Sequence, residues 1–334
     1  MRRTLVLIAC VVWTHIASAQ DGELSLLAVG DINLGRSVGQ ILLKDSIEYP
    51  FQLTGPVLRR HSVVFGNLES PITDQGGETR HPRDPYIFCA PPQAAKALGL
   101  GGFTILSLAN NHMMDYGIGG LTETIGFLDS AGILHAGASK DSVSHFSPAI
   151  IERGGVRVGF VAYTEFVNRK GGEGRVSMFE TERMHREVGA VQPSTDIVVA
   201  SYHGGKEYAA EPGERTLRQL RMLIDAGVDV VIGHHPHVPQ GIEQYKGKWI
   251  FYSLGNFVFL QPQREWTQKS FAVSMKVRKR SGVTSVEDVV LIPLTASNQP
   301  SFNVSDSVRE SLFERLQRHS PTSISRKDSV LGVN

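Results

Sequence analysis

A chain of 334 residues with 41% hydrophobic and 20% charged content can bury one large core, or one core with a minor appendage, which excludes disorder as its general state. Its 34 basic and 33 acidic residues nearly cancel, so no general basic pull draws it to nucleic acid or to an anionic membrane.

In chain order, Met1, Arg2 and Arg3 lead into an apolar run over 5–13, and Ala17, Ser18 and Ala19 precede the polar Gln20, Asp21 and Gly22. A charged n-region, an apolar h-region and a small-residue cleavage site predict a signal peptide over residues 1–19 and an extracytoplasmic, periplasmic or secreted mature protein. Thr14 and His15 break the run short of the roughly 20 residues a spanning helix needs. The alternative is a lipoprotein box at Leu7, Ile8, Ala9 and Cys10, against which stand the very short apolar stretch before Cys10 and the apolar stretch after it. Cleavage subtracts Arg2, Arg3 and Cys10; acidic residues are then one in excess, and Cys89 alone remains, with no internal disulfide open to it.

Strand-length apolar runs follow at 24–29, 62–65, 103–106, 197–200 and 228–232, with helix candidates at 92–98, 119–131 and 213–226 between them. Alternation of this kind predicts an α/β domain with largely buried sheets. Residues 149–163, turning at Arg153, Gly154 and Gly155, read as a hairpin, as do 240–253, turning at 245–248. Antiparallel pieces beside parallel ones imply mixed sheets. The glycine-rich 170–174 reads as a mobile loop, and after about Leu294 the chain turns polar, with one helix candidate at 306–317 and a serine-rich tail expected to carry no chemistry. The division is thus a leader (1–19), a main domain (20–295) and a C-terminal helix with a polar tail (296–334).

Each of the five core strands runs at once into a small polar cluster. Strand one ends in Gly30, Asp31, Ile32 and Asn33; strand two in Gly66, Asn67, Leu68 and Glu69; strand three in Asn110, Asn111 and His112, with Asp115 and Gly117 behind. Strand four ends in His203, Gly204, Gly205, Lys206, Glu207 and Tyr208, and strand five in Gly233, His234, His235, Pro236 and His237. Ligands of open α/β sheets bind beyond the carboxyl ends of the strands, so side chains from distant segments converge there. Asp, Glu, Asn and His offer hard oxygen and borderline nitrogen donors suited to Mn, Fe or Zn. A divalent metal site of one or two ions is the economical reading. A further stretch, 251–257, runs a strand into a Gly-Asn turn and places Asn256 on the rim.

With those motifs in that order over about 24–259, the chain resembles the CapA family of bacterial capsule and poly-γ-glutamate synthesis proteins, whose domain resembles the calcineurin-like metallophosphatases. The resemblance rests on Gly30-Asp31 with Leu34-Gly35-Arg36, then Gly66 to Glu69, then Asn110-Asn111-His112 with Asp115 and Gly117. It continues with His203 to Tyr208, with Gly233 to His237 and Gln240, and with Tyr252 to Phe257. It implies a metallophosphatase-like four-layer αββα sandwich of two mixed sheets, an extracytoplasmic setting and work on a capsule-like polymer. Gly204 stands where the family usually has tryptophan; Asn33 replaces the histidine of the first metallophosphatase motif, and Glu69 a bridging aspartate.

On this reading Asp31, Glu69, Asn111, His203, His235 and His237 are the metal ligands, and which of His234, His235 and His237 bind is open. His112, oriented by Asp115 three positions on, suits a general acid. Arg36 and Lys206 hold an anionic group, Glu207 orients Lys206 or acts as a base, and Asn256 lines the substrate. Ordinary readings stand beside these: Asp31 as a helix cap, Glu69 as a surface turn residue, and Asn110 and Asn111 as turn formers. His61, His81, His135, His145 and His185 lack such a setting. Two classes of function remain. One is a metal-dependent hydrolase or transferase acting on a phosphoester or a γ-glutamyl amide; the other is a non-catalytic binder of an anionic polymer or a partner in membrane-bound capsule synthesis machinery. No nucleic acid partner is expected.

Overall fold

The structure is a computed structural model that describes residues 21–333 apart from 45, 142–147, 170, 172 and 173. The leader, the Cys10 alternative, His145 and part of the glycine-rich loop lie outside the described residues.

The first half of the chain forms β1 (Gly22–Ile32), α1 (Arg36–Leu42), α2 (Gly55–Leu58), β2 (Val63–Leu68), α3 (Gln93–Gly101), β3 (Ile105–Ser107), α4 (Gly117–Ser130), β4 (Leu134–Ala136), β5 (Ala149–Arg153) and β6 (Val156–Thr164). The second half adds α5 (Thr181–Val191), β7 (Ile197–His203), α6 (Glu214–Asp225), β8 (Val230–His234), β9 (Ile242–Tyr245), β10 (Lys248–Phe251) and β11 (Asn256–Val258). It closes with β12 (Lys269–Arg280), β13 (Val283–Thr295), α7 (Asp306–His319), β14 (Ile324–Lys327) and β15 (Val330–Val333).

All five apolar runs become strands: β1, β2, β3, β7 and β8. One sheet has the order β14-β15-β13-β12-β1-β2-β3-β4, with β11 also against β1; the other is β5-β6-β7-β8-β10-β9. Both are mixed. The β1 to β4 and β6 to β8 neighbours are parallel, whereas β12 joins β1 and β5 joins β6 antiparallel. The sheets meet face to face, and Phe65 of β2 stacks on Phe160 of β6 with ring centroids 5.7 Å apart. Helices α5 and α6 bury Met184, Val188, Leu220 and Leu223 against Val198, Ala200 and Val231 of the second sheet. Helices α3 and α4 place Ala94, Leu98, Leu121 and Leu128 in the main core. This is the four-layer αββα sandwich. No helix among the described residues is long and apolar enough to cross a membrane.

Two features depart from the sequence reading. The long β12–β13 hairpin continues the first sheet, and its charged residues masked it: Phe271, Val273, Met275 and Val277 are buried, while Lys276 and Arg278, which alternate with Met275 and Val277, are half-buried. The stretch read as a polar tail holds β14 and β15; β15 pairs with β13 so that Leu331 lies opposite Leu291, both buried.

Two glycines set the geometry of the site end. A Cβ on Gly30 would overlap the Gly255 carbonyl oxygen, and one on Gly233 the Tyr252 carbonyl oxygen. Only glycine lets the ends of β1 and β8 lie this close to the 252–255 backbone, against which Asp31 N donates to Gly255 O at 3.1 Å.

Candidate metal centre

Strand register does the first part of the assembly. Asp31 of β1 lies beside Asn67 of β2 and Asn256 of β11, and His203 of β7 lies beside His234 of β8. The turn after β8 then swings His235 and His237 inward with φ of +93° and +59°. Such left-handed geometry in residues other than glycine costs on the order of 1–3 kcal/mol each and persists where the surroundings impose it.

Asp31 is fully buried and fully engaged. Its Oδ1 accepts from Asn67 Nδ2 at 2.9 Å and lies 3.1 Å from His234 Nδ1; its Oδ2 lies 3.2 Å from His237 Nδ1 and accepts from His235 N at 3.4 Å. Burial alone would raise its pKa, but the hydrogen bonds to His234 and His237 and their charges hold the carboxyl well below the ordinary range. Asp31 caps no helix, since the N-cap of α1 is Gly35.

Glu69 is the opposite case. It too is fully buried, yet neither carboxyl oxygen has a hydrogen-bond partner; the nearest imidazole nitrogens, Nε2 of His203 and of His237, stand 3.7 Å from Oε1. Burial, and then repulsion from Asp31, pushes its pKa well above the ordinary range. His203 is driven well below the usual histidine value by burial and then by His235; His235 falls to about 3, by burial and then by His237. These imidazoles are neutral, the form in which histidine binds metal.

Two ligand triads overlap here, Glu69 with His235 and His237, and Asp31 with Glu69 and His203, and Glu69 belongs to both. The Oδ1 of Asn111 lies 2.7 Å from His203 Nε2, so its amide oxygen faces the same point. An orphaned buried carboxylate, the orphaned Nδ1 of His235 and neutral imidazoles around one spot fit a divalent ion, which supplies the charge that the pocket withholds from Glu69.

Beside this cluster His112 Nδ1 lies 2.8 Å from Asp115 Oδ2, which also accepts from Phe88 N at 2.7 Å. The His112 ring stacks on Phe88 with centroids 3.9 Å apart. The imidazole is therefore fixed on one edge and one face, and Nε2 is the atom left to exchange a proton.

The structure gathers Asp31, Glu69, Asn111, His203, His235, His237, His112 and Asp115 into one buried region and leaves others out. Asn256, read as a rim residue, is fully buried: its Oδ1 lies 3.0 Å from His237 Nδ1, and its Nδ2 donates to Gln261 and to Thr267 O. The 252–255 turn packs it under His237. Lys206 and Glu207 are exposed on the loop after β7 and form no ion pair with each other among the described residues. Arg36 is half-buried at the edge, its Nη2 donating to Pro85 O at 2.7 Å.

Three contributors were not assigned from the sequence. Asn67 bridges the sheets, lying 2.9 Å from Asp31 and 3.2 Å from His203 Nδ1. Asn110 donates to Asn67 Oδ1 at 3.1 Å, and Asn168, just beyond β6, contacts Asn111 at 3.3 Å. The strand-end rule that found the other clusters covers Asn168 as well, once β6 is placed parallel to β7 rather than only in a hairpin. His234, left open between roles, turns its Nδ1 to Asp31.

A family model described as "Bacterial capsule synthesis protein PGA_cap" matches residues 25–261. The capsule biosynthesis protein CapA of Bacillus anthracis is 33% identical over 280 residues, covering 81% of this chain and 67% of its own. The PGA biosynthesis protein CapA of Bacillus subtilis (strain 168) is 34% identical over 261 residues, covering 76% and 67%. Among solved structures, the calcineurin-like phosphoesterase YfkN from Bacillus subtilis superposes with a TM-score of 0.52 at 16% identity, over 90% of this chain and 98% of that one. A putative 5′-nucleotidase from Staphylococcus aureus gives 0.52 at 15% identity, over 87% and 58%. At such identities the structural likeness concerns the fold alone.

Proposed function

The chain belongs to the bacterial capsule synthesis protein family PGA_cap, and from that premise we propose that it is an exported, metal-dependent hydrolase or transferase acting on an anionic capsule-type polymer, at a phosphoester or a γ-glutamyl amide. The observation that carries this reading is Glu69, a fully buried carboxylate without a partner, shared by two ligand triads. The polymer class is supported by relatives whose names refer to capsule and PGA biosynthesis.

Asp31, Glu69, Asn111, His203, His235 and His237 would hold a divalent Mn, Fe or Zn ion. When bound, the ion supplies Lewis-acid polarisation of a phosphoryl or carbonyl oxygen. The remaining work falls to the chain. His112, its Nδ1 fixed by Asp115, carries a proton at Nε2 for the leaving oxygen or nitrogen. Arg36 holds an anionic group of the substrate, Lys206 meets it from the exposed loop, and Glu207 on the same loop orients Lys206 or acts as a base. The work would be extracytoplasmic, beside membrane-bound synthesis machinery, with no nucleic acid partner.

The test is metal content. Elemental mass spectrometry on residues 20–334, purified without chelator, is expected to find about one or two Mn, Fe or Zn ions per chain, lost in Asp31→Ala and His237→Ala. A parent that takes up no metal even with added Mn²⁺ or Zn²⁺ overturns the reading. A second reading, a polymer binder without catalysis, is favoured by Asp31, whose oxygens are already occupied by Asn67, His234, His237 and the His235 amide.

A further inference from the structure

A groove of about 780 Å³ runs past the metal cluster, lined in part by Arg36, Gln40, Arg80, Tyr86 and Gln263. It is separated from the cluster by a single layer of rings. The Arg36 guanidinium lies 4.4 Å over Phe88 and 6.0 Å from Phe259. The same Phe88 ring stacks on His112, and Phe259 lies 4.9 Å from His237.

Arg36 is fixed in place. It opens α1 with φ of +52°, its Nη2 donates to Pro85 O, and its plane rests on Phe88. Held this way, a guanidinium presents its free edge without further loss of freedom. Neither Arg36 nor Arg80 forms an ion pair with a carboxylate among the described residues, Glu78 on the groove wall included; the buried Glu69 carboxyl acts on Arg36 only through space. Burial and then repulsion from Arg80 lower the Arg36 pKa, so the two cations act on each other. Like charges on one groove wall without an ion-paired carboxylate repel, and an anion seated against them offsets that repulsion. Tyr86, 74% exposed on the same wall, adds a flat apolar surface with a polar tip.

We propose that this groove is a polyanion subsite in which Arg36 and Arg80 seat successive carboxylates of a chain passing the metal cluster, so that the protein engages its polymer along its length and not as a single residue. The proposal rests on the polymer reading above. An arginine pair suits phosphate as well as carboxylate, and the test separates the two.

Labelled γ-glutamate oligomers of two lengths, free glutamate and linear polyphosphate are titrated by fluorescence anisotropy or competition into the parent, Arg80→Glu and Tyr86→Ser, each also assayed for metal content. The expected result is tighter binding of the longer oligomer by the parent and about a tenfold loss in Arg80→Glu that salt diminishes. Tyr86→Ser gives a smaller loss, and metal content is unchanged in both variants. Equal oligomer binding by the parent and Arg80→Glu overturns the groove, as does a parent preference for polyphosphate over polyglutamate. A parent that binds oligomer in an Arg80-dependent way without taking up metal sustains the groove and sinks the metal reading. A metal-loaded parent indifferent to Arg80 does the reverse.

Discussion

The two ends of β1 treat charge in opposite ways. At the start, Glu23 meets Arg278 at 2.6 Å, and the same guanidinium binds Glu287 and reaches Asp288 at 3.1 Å, in a cluster open to solvent. At the far end Asp31 is buried among imidazoles, and Glu69 of the neighbouring strand end is buried with nothing on either oxygen. Where water would have screened an unpaired charge, the chain paired it; where water is excluded, it left a carboxylate bare. Ionised there it would cost on the order of several kcal/mol, which is why its pKa is pushed up. On the proposed metal reading, such a group at the meeting point of the strand ends is kept for a ligand that the chain itself does not supply.

Substitutions at that end give the largest expected effects, and the two carboxylates should respond with different signs. In chelator, Glu69→Gln is expected to melt at or above the parent temperature, because a neutral amide replaces an orphaned carboxyl. With Mn²⁺ or Zn²⁺ at a thousand times its Kd, the parent gains roughly 4 kcal/mol by mass action and Glu69→Gln almost nothing. Asp31→Ala, in contrast, is expected to lose about 3 kcal/mol even in chelator, since it strands His234, His237 and the Asn67 amide. Thermal melts with and without metal read both. Equal metal gains in Glu69→Gln and the parent would remove Glu69 from the ligand set.

Next in size is His112→Ala, which sharpens the division between holding an ion and moving a proton. Turnover of a phosphoester or γ-glutamyl substrate is expected to fall at least about a hundredfold with metal content unchanged. A fall in bound metal instead would make His112 a ligand and leave the acid unassigned.

The site end was legible because parallel strands buried on both faces spell themselves as apolar runs, and the polar residues that end them are conspicuous. That logic located Asp31, Glu69, Asn111, His112, His203 and the histidines after β8. It could not say that Asn256 lies beneath His237, because depth depends on how closely Gly30 and Gly233 let the 252–255 turn approach. Nor could it show Lys206 and Glu207 turned to solvent, since a glycine-rich loop carries no periodicity from which to read a direction. The opposite end was nearly illegible. In β12 and β13, one side of the strands carries Lys276, Arg278 and Glu287, so the apolar signal is diluted although Phe271, Val273 and Leu291 are fully buried.

A smaller effect is expected from the C-terminal helix, which packs behind the His237 turn. Arg315 of α7 is nearly buried; its Nε donates at 2.8 Å to the carbonyl of Pro239, two residues past His237, and its guanidinium lies 4.2 Å over Trp266. Burial lowers its pKa to about 10. Arg315→Met keeps the packing and removes the donor, and about a tenfold loss of metal affinity is expected in a competition titration, with the number of ions unchanged. An unaltered affinity would mean that the His237 turn holds its shape without α7.

The smallest expected effect lies at the solvent end, in Arg278→Ala, and its pH dependence shows what kind of interaction is lost. The Glu23 carboxyl sits below its ordinary value chiefly through its hydrogen bond with Arg278; Glu287 does so through Ser285 and then Arg278, and Asp288 through Lys276, with Arg278 adding to it. A carboxyl whose pKa is lower in the folded state contributes stability above its unfolded value and loses it as pH falls through the folded one. The difference in urea midpoint between the parent and Arg278→Ala is therefore expected at pH 7, to narrow below about pH 4 and to close further down; added salt should narrow it at any pH. A difference that persists in acid and salt would assign it to the packed stem of Arg278 instead of its charge. Metal content should match the parent near neutral pH, because the cluster at this end is complete within the chain. If Arg278→Ala also lost metal, the two ends of β1 would be coupled through the strand, and the contrast between them would describe one device instead of two.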